Sequence, residues 1–281
     1  MNKKSLKQNF SLPLLALGTW GFGGREFHDP DNNDARQIEA IENAVTAGLT
    51  WIDTAEYYAD GYAETLIGTA LRGAKRDSYQ ICSKVWKTHL RRDDVWRAAE
   101  NSLNRLKTDH FDLYLYHQID DNVPLEETLG AMNELVEQKI TKNIGVSNFS
   151  AERLERAMRI SDAPIVVNQV EYSLVCREPE KELLPFSQEN DVFLQAWRPL
   201  QYLKDCTLTD EICAKYDISL QQLALAWLVS QHNVTTIAAI TNPVHLADNI
   251  AAVDLQLDED DIELLRSDYP DQREISRVPL R

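Results

Sequence analysis

The chain has 281 residues, of which 43% are hydrophobic and 26% charged, with 10 Gly and 10 Pro. That composition excludes a disordered, collagenous or disulfide-scaffold protein, and the length suffices to bury a large core without a metal or a disulfide. The 29 Lys and Arg against 45 Asp and Glu leave a net charge of −16, which argues against nucleic acid or an anionic membrane surface as a partner.

At the N-terminus, Lys3, Lys4 and Lys7 precede the apolar run Phe10–Leu17, a loose imitation of a signal peptide. The run is short, contains Pro13 and lacks an A-x-A site, so it reads as the first strand. No apolar run approaches the ~20 residues that span a bilayer. The four cysteines, Cys82, Cys176, Cys206 and Cys213, form no C-x-x-C pair, which fits a reducing compartment and a cytoplasmic protein. The matches to N-x-S/T at Asn148 and Asn233 then read as chance.

Short apolar runs rich in β-branched and aromatic residues recur along the chain: Leu14–Thr19, Leu49–Asp53, Tyr79–Ser83, Phe111–Tyr116, Ile140–Val146, Ile165–Gln169, Val192–Ala196 and Thr236–Ile240. Runs of this kind read as strands buried on both faces, as in parallel sheets. Between them Arg36–Ala47, Val95–Leu106, Leu125–Val136 and Leu220–Val229 carry apolar residues at helical spacing, and Asn242-Pro243 is a helix start. Eight strands alternating with helices predict a (β/α)8 barrel, a single α/β domain over residues 1–281. A doubly wound open sheet is the rival. It needs an early G-x-G-x-x-G, which Gly18, Gly21, Gly23 and Gly24 do not supply.

In such a barrel the residues after each strand's C-terminal end face one another. Here they are Trp20, Asp53, Lys84, His117, Ser147 with Asn148, Gln169, Trp197, and Thr241 with Asn242. Tyr58 follows Asp53 by five residues, with Tyr57 competing for its place. A phenol with a pKa of about 10 exchanges protons poorly at neutral pH. An adjacent ammonium is expected to lower that value, and a carboxylate keeps a buried ammonium charged. A neutral imidazole can donate to a carbonyl oxygen. Tyr, Lys, Asp and His together suit carbonyl/alcohol interconversion, with the hydride drawn from a cofactor. Six histidines without H-E-x-x-H or paired Cys/His spacing give no reason to expect a metal.

Taken in order, these segments resemble the aldo-keto reductases. Asp53–Glu64 resembles that family's D-x-A-x-x-Y…G…E segment, Ser83–Trp86 its strand-three lysine motif, and Leu115–His117 its strand-four histidine. Ile144–Phe149 and Asn168–Tyr172 resemble its nicotinamide-binding strands, and Gln195–Leu200 its Tyr-Ser-Pro-Leu stretch. The resemblance implies that Tyr58 is the general acid or base, tuned by Lys84 and Asp53, with His117 orienting the carbonyl. It implies that Ser147, Asn148 and Gln169 hold the nicotinamide carboxamide and that Trp197 stacks on the ring. Trp20, Tyr57, Tyr58, Trp86 and His117 would line the substrate pocket. Thr19, Trp20, Asp53, Arg198, Pro199, Leu200, Thr241, Asn242, His245 and Asn249 complete the expected cofactor contacts.

Two positions depart from the pattern. Ala239 and His245 stand where many relatives carry Lys and Arg on the NADPH 2′-phosphate, so NADH or dual use joins NADPH, the family default. Arg198 replaces the usual Ser. The expected function is NAD(P)H-dependent reduction of an aldehyde or ketone, a small-molecule carbonyl. The alternatives are an NAD-linked sugar or polyol dehydrogenase working oxidatively, and a nucleotide-sensing barrel without catalysis. The tail from Asp268, with Tyr269, Arg273 and Arg277, is left to meet solvent, substrate or the acidic body.

Overall fold

The structure, a computed structural model, describes residues 2–281. A hairpin of β1 (Lys3–Ser5) and β2 (Ser11–Pro13) precedes the barrel. Then follow β3 (Leu15–Gly18), α1 (Asp34–Thr46), β4 (Trp51–Asp53), α2 (Tyr62–Ala70), β5 (Gln80–Val85), α3 (Arg92–Leu106), β6 (Leu113–Tyr116) and α4 (Leu125–Glu137). The second half contains β7 (Ile144–Ser147), α5 (Ala151–Ile160), β8 (Ile165–Glu171), α6 (Leu183–Glu189), β9 (Phe193–Trp197), α7 (Thr207–Tyr216), α8 (Leu220–Ser230), β10 (Val234–Ala239), α9 (Pro243–Ala252) and α10 (Glu259–Asp268). Strands β3 to β10 pair in parallel and close, β10 against β3, into an eight-stranded barrel, which rules out the open sheet.

The predicted strands all form, with shifted ends. The first apolar run is split: β2 and β3 divide at Leu14, and the hairpin was not foreseen. Ile140 lies before β7, and β5 runs on to Val85, so Lys84 sits inside its strand rather than beyond it. Local chemistry explains several helix starts. The Asn33 side chain accepts from Arg36 N at 3.1 Å, Ser219 and Gln222 form a reciprocal cap on α8, and the Asn242 side chain accepts from Val244 N at 3.0 Å ahead of Pro243.

Strand side chains alternate between the two faces of the barrel wall. Ile81, Val85, Tyr114 and Tyr116 pack outward on the helices, whereas Ala16, Trp51, Cys82, Leu113, Leu115, Val167 and Phe193 fill the interior. The hairpin brings Leu6, Phe10 and Leu12 into that interior cluster, with Phe10 edge-on to Trp51 and Phe193 at 6.1 Å each. Lys4 fastens the hairpin by donating to the carbonyls of Val229, Gln231 and Val234 at 2.6, 2.5 and 2.7 Å, where α8 ends and β10 begins. The floor of the barrel is therefore closed by apolar packing. The same alternation aims every second residue inward above it: Asp53 over Trp51, Lys84 over Cys82, His117 over Leu115, Gln169 over Val167, and Gln195 over Phe193.

Candidate active site

At the C-terminal ends of the strands lies a cavity of about 440 Å³. Its lining includes Thr19, Trp20, Asp53, Tyr57, Tyr58, Trp86, His117, Ser147, Asn148, Gln169, Trp197, Arg198, Pro199 and Leu200. Lys84 lies beneath it, almost wholly buried. Its ammonium has three protons and three acceptors: Asp53 Oδ1 at 2.6 Å, the Thr54 carbonyl at 2.7 Å and the Tyr58 hydroxyl oxygen at 3.1 Å. Tyr58 thus accepts from Lys84, and no acceptor among the described residues takes its own proton. The phenolic O–H is left to the cavity.

The loop that carries Tyr58 is held tightly. Ala59 and Asp60 adopt the left-handed region at φ 51° and 54°, a strained conformation for residues with a side chain. Their amides donate to the Arg25 and Glu26 carbonyls at 2.6 and 3.0 Å. Behind the loop, buried Glu64 accepts from Ser83 Oγ at 2.6 Å and Arg105 Nε at 2.7 Å, which ties α2 to β5 and α3.

The electrostatics correct one expectation. Burial raises the Tyr58 phenol above its usual pKa of 10; Lys84 pulls it down, and Asp53 again pushes it up. Burial wins, so the phenol is protonated at neutral pH rather than unusually acidic. Burial also opposes the charge on Lys84, but Asp53 and Tyr58 together hold that ammonium above its usual value. Burial, and then the Lys84 charge, keep His117 well below 6.5, so its ring is neutral. Its Nδ1 is buried without a partner among the described residues. Aromatic rings close one side: Tyr57 stacks on Trp86 at 3.7 Å, Trp86 meets His117 edge-on at 4.9 Å, and Trp20 meets Tyr58 edge-on at 5.1 Å.

The opposite wall is polar. Ser147 Oγ donates to the Gln169 carbonyl at 2.9 Å, Asn148 Nδ2 donates to Ser147 Oγ at 3.0 Å, and Trp197 Nε1 donates to Asn148 Oδ1 at 3.3 Å. Gln169 Nε2 donates to Asp53 Oδ2 at 2.5 Å and to Gln195 Oε1 at 2.8 Å. Amide, hydroxyl and a flat indole along one wall of the cavity fit a planar ring bearing a carboxamide. Thr241 and Asn242 lie apart in a shallow depression with Ala40 and Asn43. His245 is exposed and Asn249 buried in α9, neither of them lining the main cavity. Arg198, with φ 55°, stacks over Trp197 at 5.1 Å and comes within 3.9 Å of Glu171.

Residues 14–269 match the Aldo/keto reductase family. The chain belongs to that family. Methylglyoxal reductase YeaE of Escherichia coli is 32% identical over 268 residues, covering 92% of each chain. The thermostable aldo-keto reductase Tm1743, solved with the inhibitor epalrestat, superposes with a TM-score of 0.92 at 43% identity over 95% of this chain and 99% of its own. An aldo-keto reductase of Klebsiella pneumoniae, solved with NADPH, gives 0.86 at 36% identity over 98% of each chain. This aldo-keto reductase is an NAD(P)H-dependent oxidoreductase of carbonyl chemistry on a (β/α)8 barrel.

Several lining residues of this aldo-keto reductase escaped the sequence reading. Gln118 follows His117 directly, and Gln201 follows the Arg198–Leu200 stretch. Val278 arrives from the tail, which no periodicity announces. Gln195 lies behind the lining, fully buried and in register with Gln169 across β8 and β9, and a polar residue inside an apolar strand is the signal for it. Among the described residues the Arg273 and Arg277 side chains form no ion pair and stack on Tyr202 at 4.2 and 4.7 Å, while the Arg277 amide donates to Glu171 Oε2 at 2.8 Å. Among the described residues no helix is long and apolar enough to cross a membrane.

Proposed function

We propose that this protein reduces a small aldehyde or ketone to the alcohol, with Tyr58 as the proton donor. The observation that carries the reading is the Lys84–Tyr58 contact of 3.1 Å, in which the phenol accepts and its own proton faces the cavity. As Tyr58 gives up that proton to the carbonyl oxygen, the Lys84 ammonium lies against the phenolate that remains. Asp53 keeps the ammonium charged throughout. A bound nicotinamide supplies the hydride. His117 is neutral, and an unpartnered buried nitrogen costs less as a lone pair than as an N–H. Its proton therefore belongs on Nε2, as a donor to the carbonyl oxygen.

Ser147, Asn148 and Gln169 would hold the carboxamide, and Trp197 would stack on the ring, as in the family pattern. Thr19, Trp20 and Arg198–Leu200 would flank the cofactor beside them, and Thr241, Asn242, His245 and Asn249 would take its far end. Trp20, Tyr57 and Trp86 would pack on the substrate. The named activity of the E. coli relative puts methylglyoxal first among substrates to try. Four free cysteines support a cytoplasmic setting. The test is consumption of NADPH and NADH over a panel of carbonyls that includes methylglyoxal. Turnover is expected with at least one pair, and none with any would overturn the reading.

A second reading, an NAD-linked dehydrogenase of sugars or polyols, rests on the local lack of cations. Ala239 and His245 are both exposed near the start of α9, in a stretch with no Lys or Arg between Lys215 and Arg266. Ala239→Lys with His245→Arg is expected to shift the kcat/KM ratio toward NADPH at least tenfold. An unmoved ratio would show that a 2′-phosphate is not read there.

A further inference from the structure

Gln195 has no role in the site as described so far, yet its environment is unusual. It is fully buried in the middle of β9, directly above Phe193 of the apolar floor. Its Oε1 accepts from Gln169 Nε2 at 2.8 Å, while its Nε2 has no partner among the described residues. Half an amide left unpaired inside a barrel is a cost that a side chain of the same size without polar atoms avoids. For packing alone, methionine would serve better here. What the amide contributes is a second acceptor for Gln169, beside Asp53.

That acceptor settles the geometry of Gln169. The Gln169 amide nitrogen has two hydrogens, and they are divided between Asp53 Oδ2 at 2.5 Å and Gln195 Oε1 at 2.8 Å. With both directions fixed, the plane of the amide is fixed, and Oε1 takes the remaining direction. No protein donor among the described residues reaches that oxygen, and Gln169 lines the cavity. Without Gln195 the amide keeps one anchor, Asp53, and can swing about it.

We propose that Gln195 is a positioning residue for the nicotinamide half of the cofactor: it locks Gln169 so that Oε1 is presented, ready-made, to the carboxamide N–H donors. The proposal rests on the reading that Gln169 holds that carboxamide. A site whose acceptor is already oriented loses less freedom on binding, and that advantage disappears when the lock is removed. Gln195 acts only through Gln169, so the effect belongs to the nicotinamide half and to nothing else in the dinucleotide.

The test compares binding of NADP+ with that of 2′-phospho-ADP-ribose, which lacks nicotinamide, and of NAD+ with ADP-ribose, by calorimetry on the full-length protein. In the wild type each dinucleotide should bind more tightly than its fragment. In Gln195→Met the dinucleotide that binds best should weaken by about tenfold, with its fragment within twofold of wild type. Gln195→Glu, which keeps an acceptor in place, should recover most of the loss. Equal weakening of dinucleotide and fragment would mark a merely structural role and overturn the proposal, as would unchanged binding of both. Wild-type protein that binds fragment and dinucleotide alike would instead overturn the reading on which the proposal rests.

Discussion

Tyr58 has its hydroxyl oxygen occupied by Lys84 and its hydroxyl proton unclaimed, and this asymmetry gives the residue a direction. Removing the hydroxyl removes that proton and one of the three Lys84 acceptors, leaving Asp53 and the Thr54 carbonyl to hold the ammonium, while the ring still packs edge-on to Trp20 and His117. Tyr58→Phe is expected to lower kcat for carbonyl reduction by about 10²–10⁴-fold, with cofactor affinity unchanged when measured by fluorescence titration. The pH profile follows from the same site. Burial keeps the phenol protonated above its usual 10 and His117 neutral down to well below 6.5. The reduction rate should therefore stay level across the neutral range and fall only in strong alkali, as Tyr58 loses its proton. A fall beginning near pH 7 would mean that a different group donates.

Among the elements, the hairpin β1–β2 bears the most on the site without touching it. Lys4 is its clasp, and burial lowers that ammonium from its usual 10.5 to about 8. Lys4→Met removes charged hydrogen bonds to three carbonyls and is expected to cost about 1–3 kcal/mol of unfolding free energy. Because the unfolded chain binds more protons between about pH 8 and 10.5, the burial penalty is complete below that window and relieved as pH rises through it. The wild-type advantage in denaturant midpoint should widen with pH over that range. The barrel strands were legible because parallel strands buried on both faces carry long apolar runs, and the site was legible because polar residues ended them. The hairpin was not, since Lys3–Ser5 has no apolar pattern and pairs through its backbone and one Ser5–Ser11 hydroxyl contact of 2.8 Å. Sequence alone sets Lys84 past the end of β5, because a charged residue inside a strand looks like a stop until its partner Asp53 is known. The acidity of Tyr58 is not legible for a related reason: sequence names the ammonium but not the depth of burial, and burial decides the sign.

At the scale of the whole molecule the tail completes the mouth. Arg273 and Arg277 hold Tyr202, Val278 reaches the cavity lining, and Ser150 and Asn148 exchange backbone hydrogen bonds with Arg281. Sequence could give the composition of this segment but not its course, because its contacts are to single loops rather than along a periodic face. The closed floor has a further consequence. With Leu6, Phe10 and Leu12 sealing the barrel from below, dissolved ions can approach the Lys84–Asp53 pair only from above, and a ligand seated there shuts them out. Added electrolyte should then leave the rate of the chemical step, read from single-turnover absorbance, nearly constant. The encounter with a polyanionic dinucleotide should respond, since a body of charge −16 repels it from a distance. Raising ionic strength from about 10 to 150 mM shortens the screening length from ~30 to ~8 Å, and the stopped-flow association rate should rise severalfold. Screening would thus speed the arrival of the cofactor and leave proton transfer alone, because the two events take place on opposite sides of a single opening.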